Sequence, residues 1–379
     1  MIRVYDAVTD QVVDSLDLSI PSGPTESRTY GPECDYTKVP YDYTRTVVPT
    51  NKDTRPGTPS GTAEPTPPVY QLTIIGGFTD AFHFYPVIVR DSIATIYLHN
   101  NMLEYGHTYY VTIDNGVLNL ADGSFQGVTK EDEWTFTTKS DMPELSDTLI
   151  VDATGKGDFN TVQGALDFIP DFNEQQTVIL VNPGDYEELV YTRNKWNVKI
   201  KGAGMADTKV HYANNEVFNP HPLTVKTNEW PGTFPSRRAA FMLDNCKDIV
   251  IEDMTIATDL KGQAEGLLIN GERIALYRVH IIGSGDALQA NGTIYMESCE
   301  LDGGGDTILG RGSLFAYKSN FRNGGGPFSW VRNTAGNHGN VFVECTFSTE
   351  DGKQADYGRT KSNHGSAYPD AEFVLIDCK

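Results

Sequence analysis
GSGDALQANGTIYMESCELDGGGDTILG, residues 283–310, contains one phrase twice, GSGDAL and GGGDTIL, which places Asp286 and Asp306 twenty residues apart. Between the copies lies TIYMESCEL (293–301), a β-rich run that ends on an apolar residue. Four other runs have that form: IVIEDMTI (249–256), RIALYRVHI (273–281), SLFAYKSNF (313–321) and NVFVECTF (340–347). Aligned on their last apolar residue, the five end at 256, 281, 301, 321 and 347, in steps of 25, 20, 20 and 26. A unit this short cannot bury its own apolar positions, and each ends in a glycine-rich or polar turn, so stacking into a solenoid is what buries them. The spacing predicts a parallel β-helix. Equivalent residues on adjacent coils then lie about 4.8 Å apart, so Asp286, five residues after Ile281, stacks on Asp306, five residues after Leu301. The same alignment gives Cys299 and Cys345 equivalent interior places, where thiols act as small hydrophobes.

Upstream, TLIVDATGKGDFNTVQGALDFIP (148–170) reads as a strand, a glycine turn and an amphipathic helix with Val162, Ala165, Leu166 and Ile169 on one side. Before it the texture changes. ATIYL (94–98), YYVTID (109–114) and EWTFTT (133–138) alternate as short half-buried strands, and TNKDTRPGTPSGTAEPTPP (50–68) reads as a surface loop. The expectation is an all-β chain, with a β-sandwich over 1–143 and the β-helix over 146–379. The run NMLEYGHTYYVTIDNGVL followed by EWTFTT resembles bacterial Ig-like modules found beside secreted enzymes, which implies a spacer.

With 51 acidic and 30 basic residues the formal net charge is −21, which argues against nucleic acid or an anionic membrane as partner. No apolar run is long enough to insert in a membrane, and IRVYDAVTDQ after Met1 has no leader character. The five cysteines show no CxxC spacing, hence no zinc site or disulfide framework is expected.

Two carboxyls about 5 Å apart repel, so one should hold its proton while the other stays ionised. Such a pair suits covalent ester hydrolysis or, at the same spacing, retaining glycoside hydrolysis. Gly-Asp is also an ordinary turn signal, and a plain stack of turns has the same spelling.

Residues 148–379 resemble the pectin methylesterases, carbohydrate esterases built on a right-handed parallel β-helix. The resemblance rests on VDATGKGDFNTVQGALDFIP, NPGDYEELV (182–190), GQAEGLLINGERIALYRVHIIGSGDAL (262–288), GTIYMESCELDGGGDTILG (292–310) and DYGRTK (356–361), in that order. It implies hydrolysis of galacturonate methyl esters in pectin without metal or organic cofactor, in a secreted, periplasmic or cell-surface protein. Asp306 would be the nucleophile, Asp286 the acid and base, Gln263 an oxyanion donor, and Arg359 the partner that keeps Asp306 ionised. Where the family has glutamine before its first aspartate, this chain has Gly285; Thr307 replaces an aromatic, and Lys361 stands where a tryptophan would stack on a sugar. Trp330, Phe328, Tyr357 and Lys361 are therefore the candidate substrate contacts, with His338 and His364 as further polar candidates. Two alternatives remain at this point: a calcium-dependent lyase using Asp286, Asp302 and Asp306, and a polysaccharide-binding β-helix without activity. FVLIDCK (373–379) stops one residue before its coil's last apolar position, so a shortened or unusually capped solenoid is expected.

Overall fold
The computed structural model describes residues 1–23, 70–78, 82–119, 123–145, 147–219, 236–359, 362–363 and 366–379. The proline-rich segment 50–68, Cys34, and the side chains of Lys361 and His364 lie outside the described residues. The chain divides after Glu144 into two units.

In the first unit Ile2–Asp6 pairs antiparallel with Val12–Leu16 and with Thr108–Ile113, and the latter pairs with Thr135–Thr137. The alternating inward residues of these strands, among them Ile2, Val4, Leu16, Tyr109, Val111 and Ile113, form a small core with Phe84. Two hairpins accompany the sheet, Leu72–Thr73 with Phe82–His83 and Val87–Arg90 with Ile93–Ile96.

The second unit is a parallel β-helix, and its coils lay down three parallel sheets. The first runs through Val190–Arg193, the start of Phe241–Thr258, Leu267–Glu272, Leu288–Ala290, Ile308–Gly310 and Ser329–Val331. The second includes Thr293–Glu297, Ser313–Tyr317, Asn340–Val343 and Phe373–Ile376. The third includes Gly184–Glu187, Thr208–Tyr212, Glu300–Gly303, Asn320–Asn323 and Thr346–Thr349. Ile256, Ile281, Leu301, Phe321 and Phe347, the five apolar ends aligned from the sequence, are successive neighbours in this third sheet.

The structure departs from the sequence reading inside each run. What reads as one strand carries an internal bend at a residue in the left-handed region: Asp253, Arg278, Ser298, Lys318, Glu344 and Asp377 have φ between 49° and 60°. Each bend turns the coil from the second sheet into the third. Because none of the six is glycine, composition does not announce the corner. Neighbours in the column pair across coils, Arg278 with Asp253 at 2.5 and 3.0 Å and Lys318 with Glu344 at 3.6 Å. Immediately after the bend Cys299, Ser319 and Cys345 turn inward, all buried, with Ser319 between the two thiols.

One end of the core is covered by the helix Val162–Phe168. Thr161 caps it by accepting the Gly164 N–H at 3.0 Å, and Glu188 accepts the N–H groups of Val162 and Gln163 at 2.8 and 2.9 Å. Val162, Ala165, Leu166 and Ile169 are all buried, as their spacing predicts.

Candidate active site
Asp286 lies in the turn between Ile274–Ile282 and Leu288–Ala290, and Asp306 in the same turn of the next coil, between Glu300–Gly303 and Ile308–Gly310. Ile282 neighbours Asp302 and Leu288 neighbours Ile308, so the two aspartates share one offset. Each is 3% exposed, and the Asp306 N–H donates to Asp286 Oδ1 at 2.9 Å.

The glycines before them are there because the coils touch. Gly305 donates its N–H to the Gly285 carbonyl. A Cβ on Gly305 would stand 3.2 Å from Asp286 Oδ1, and one on Gly326 would strike the Gly305 carbonyl. A Cβ on Gly285 would lie 2.7 Å from the Gly262 carbonyl and 3.0 Å from Gln263 Cα. The glycine found in place of the family's glutamine is thus imposed by the 262–264 backbone, which occupies the space a side chain would need.

Arg359 Nε meets Asp306 Oδ1 at 2.5 Å, and its guanidinium carbon lies 4.9 Å from the centre of the Trp330 ring. Arg332 also packs on that ring, at 4.7 Å. On the other side of the pair, Arg238 donates to Gln263 Oε1 at 3.1 Å and approaches Asp286 Oδ2 at 3.5 Å. It is held by Glu265, fully buried, through Nε at 2.7 and 2.9 Å and Nη2 at 2.5 Å. Gln263, Asp286, Asp306, Arg359 and Trp330 therefore stand in one continuous set of contacts.

Other candidates are placed differently. Phe328 is 4% exposed, part of the β-helix core and edge-to-face with Phe347 at 5.0 Å, and it also lines the groove beside Tyr357. Tyr357 is 49% exposed and lines, with Gly326 and Lys353, a groove of about 650 Å³ next to the aspartate turns. Thr307 is buried and accepts from Asn323 at 2.8 Å, which makes it an interior residue. His338 is an exposed turn residue, 3.7 Å from Glu372. Asp302 pairs with His280 at 2.8 Å and takes no part in the Asp286 and Asp306 contacts described above. The grouping of His and carboxylates close enough to share a cation among the described residues is Glu187, His211 and Asp259, on earlier coils.

Arg238, Glu265 and Arg332 were not singled out from the sequence. Glu265 left a trace, a charge opening the apolar run GLLIN; Arg238 sits 48 residues before Asp286 and left none.

Burial above all pushes the Asp286 carboxyl up to about 7, with Glu265 and Asp306 adding to the effect and Arg238 opposing it. Burial also raises Asp306 above the ordinary aspartate range, against the hydrogen bond and charge of Arg359 and the charges of Arg332 and Arg238. Both values move up, so the two carboxyls are distinguished by their partners: the direct guanidinium bond falls on Asp306 alone. The arrangement provides a proton-holding carboxyl beside a paired, oriented carboxylate.

Among solved structures, this chain is similar in fold to Escherichia coli ybhc, with a TM-score of 0.51 at 18% identity over 63% of this chain and 72% of that one. Among curated proteins, Pectinesterase QRT1 of Arabidopsis thaliana is 31% identical over 170 residues, 43% of this chain and 43% of the relative. Pectinesterase 31 of the same plant is 29% identical over 165 residues, 42% of this chain and 51% of the relative. The chain thus spans about half the length of these relatives. Residues 148–324, the stretch that carries Gln263, Gly285, Asp286 and Asp306, match the pectinesterase family.

Proposed function
We propose that the β-helix hydrolyses methyl esters of galacturonate units in pectin or a related polyuronate and releases methanol. The observation that carries this reading is the stacked, buried pair Asp286 and Asp306, with Arg359 bonded only to the second. Asp306 attacks the ester carbonyl through a carboxylate oxygen, and the carbonyl oxygen takes up negative charge beside the Gln263 amide. Asp286 protonates the departing methoxide as the acyl-enzyme anhydride forms. It then takes a proton from water, whose oxygen attacks the acyl carbon and frees Asp306. Trp330 and Tyr357 are the surfaces on which sugar rings would stack. The family match over 148–324 supports the reaction class. We read the first unit as an Ig-like spacer and the site of action as extracellular; among the described residues no helix is long and apolar enough to cross a membrane.

The test is incubation with highly methylated pectin, with and without a chelator, following methanol and the ultraviolet absorbance of unsaturated uronates. Methanol without absorbance is expected. Chelator-sensitive absorbance would mean a lyase, and binding with neither signal would mean a β-helix that only holds polysaccharide.

A further inference from the structure
Arg238 touches both Gln263 and Asp286, yet nothing in the reaction as written uses it. Three of its contacts go to Glu265, a fully buried carboxylate, leaving Nη1 for Gln263 Oε1 and Nη2 near Asp286. A guanidinium only donates, so the Gln263 atom it meets is the amide oxygen, and the amide NH2 is left for another acceptor. Among the described residues no hydrogen bond occupies that nitrogen. Arg238 therefore decides which end of the Gln263 amide remains available, at a site where Gly285 contributes no side chain.

A bare guanidinium beside Asp286 would also strip its proton by favouring the charged form. Glu265 lies against the same guanidinium and cancels that charge. The groups facing Asp286 are Arg238, Glu265 and Asp306; Arg359 and Arg332 act on Asp306, and Glu216 acts on Arg238.

We propose that Arg238 and Glu265 are a positioning pair: Arg238 turns the Gln263 amide nitrogen toward the ester oxygen that gains charge, and Glu265 neutralises Arg238 so that Asp286 keeps its proton for methanol. The proposal rests on the ester-hydrolase reading of this site. Its test is the pH dependence of kcat and KM on methylated pectin for the full chain, its Asp306→Ala variant, Glu265→Gln, and the double variant Arg238→Gln/Glu265→Gln. In Glu265→Gln the guanidinium is uncompensated, and the alkaline limb of kcat should move down by about one pH unit or more, with KM nearly unchanged. The double variant removes both charges; its kcat should fall about 10²-fold with the limb left in place, and added guanidinium ion should restore part of it. If Glu265→Gln fails to fold, Glu265→Asp, with a shorter reach to Arg238, should move the limb in the same direction. An active wild type and a dead Asp306→Ala, with an unmoved limb in Glu265→Gln and wild-type kcat in the double variant, would overturn the pair alone. A wild type that releases no methanol would overturn the reading of the site and the pair with it.

Discussion
Asp286 is a carboxyl kept from water, and that has a measurable cost. Its folded-state pKa of about 7 lies above the ordinary value of 3.8. A group shifted in this direction contributes stability that is fully present below the unfolded value and lost as pH rises through the folded one. Asp286→Asn keeps an acceptor for the Asp306 N–H and has nothing to ionise. It should therefore be more stable than the wild type at pH 8, by on the order of 4 kcal/mol, with the difference vanishing toward pH 4; thermal unfolding at the two pH values checks this. The same substitution should abolish methanol release, since no proton donor or base remains. Asp306→Ala should abolish it too while leaving circular dichroism unchanged, and full activity in that variant would exclude Asp306 as nucleophile. In the wild type, activity should follow a bell: the acid limb belongs to Asp306, raised above the ordinary aspartate range, and the alkaline limb, near 7, to Asp286.

At the scale of elements, the aspartate turns work because adjacent coils nearly touch. Gly285→Ala puts a methyl 2.7 Å from the Gly262 carbonyl and 3.0 Å from Gln263 Cα. Relief requires moving the backbone that carries Gln263, so a loss of about 1–3 kcal/mol is expected, together with reduced kcat; denaturant midpoints and initial rates would record both. Inside the coils, Phe321 is fully buried and in ring contact with Phe342 at 5.2 Å and Phe347 at 5.1 Å. Phe321→Ala should cost about 3–5 kcal/mol of unfolding free energy, because a rigid stack of coils cannot collapse into the space. The columns of apolar ends were legible because burial dictates residue type at a fixed period. The corners at Arg278, Ser298, Lys318 and Glu344 were not, because coil closure forces a left-handed residue there without demanding glycine. Phe328 combines both roles that the sequence suggests for an aromatic near the site: it packs in the core and also lines the groove beside Tyr357.

For the whole molecule the decisive quantity is charge. A formal net charge of −21 repels an ionised polyuronate and is indifferent to a methylated one. The fully methylated chain should therefore bind more tightly than the de-esterified product. Raising ionic strength from about 0.01 to about 0.15 M, which shortens the screening length from about 30 to about 8 Å, should narrow the gap mainly by improving product binding. Equal affinities at low salt would show that the local cations Arg238, Arg332 and Arg359 outweigh the global field.

The amino-acid order alone determined the coil period, the stacking of Asp286 on Asp306 and the interior places of Cys299 and Cys345, because each follows from a repeat in which burial selects residue type. Gln263 and Arg359 were found only through the family's motifs, since neither lies in the repeat. What only the tertiary structure decided is the surroundings of the pair. Arg238 and Glu265 flank Asp286, Arg359 and Arg332 flank the Asp306 side, and the 262–264 backbone fills the space beside Gly285. These groups come from coils and loops whose separation along the chain obeys no period, so their meeting depends on how each turn is routed around the helix. The period of the coils placed the two carboxyls; the routing of the turns distinguished them.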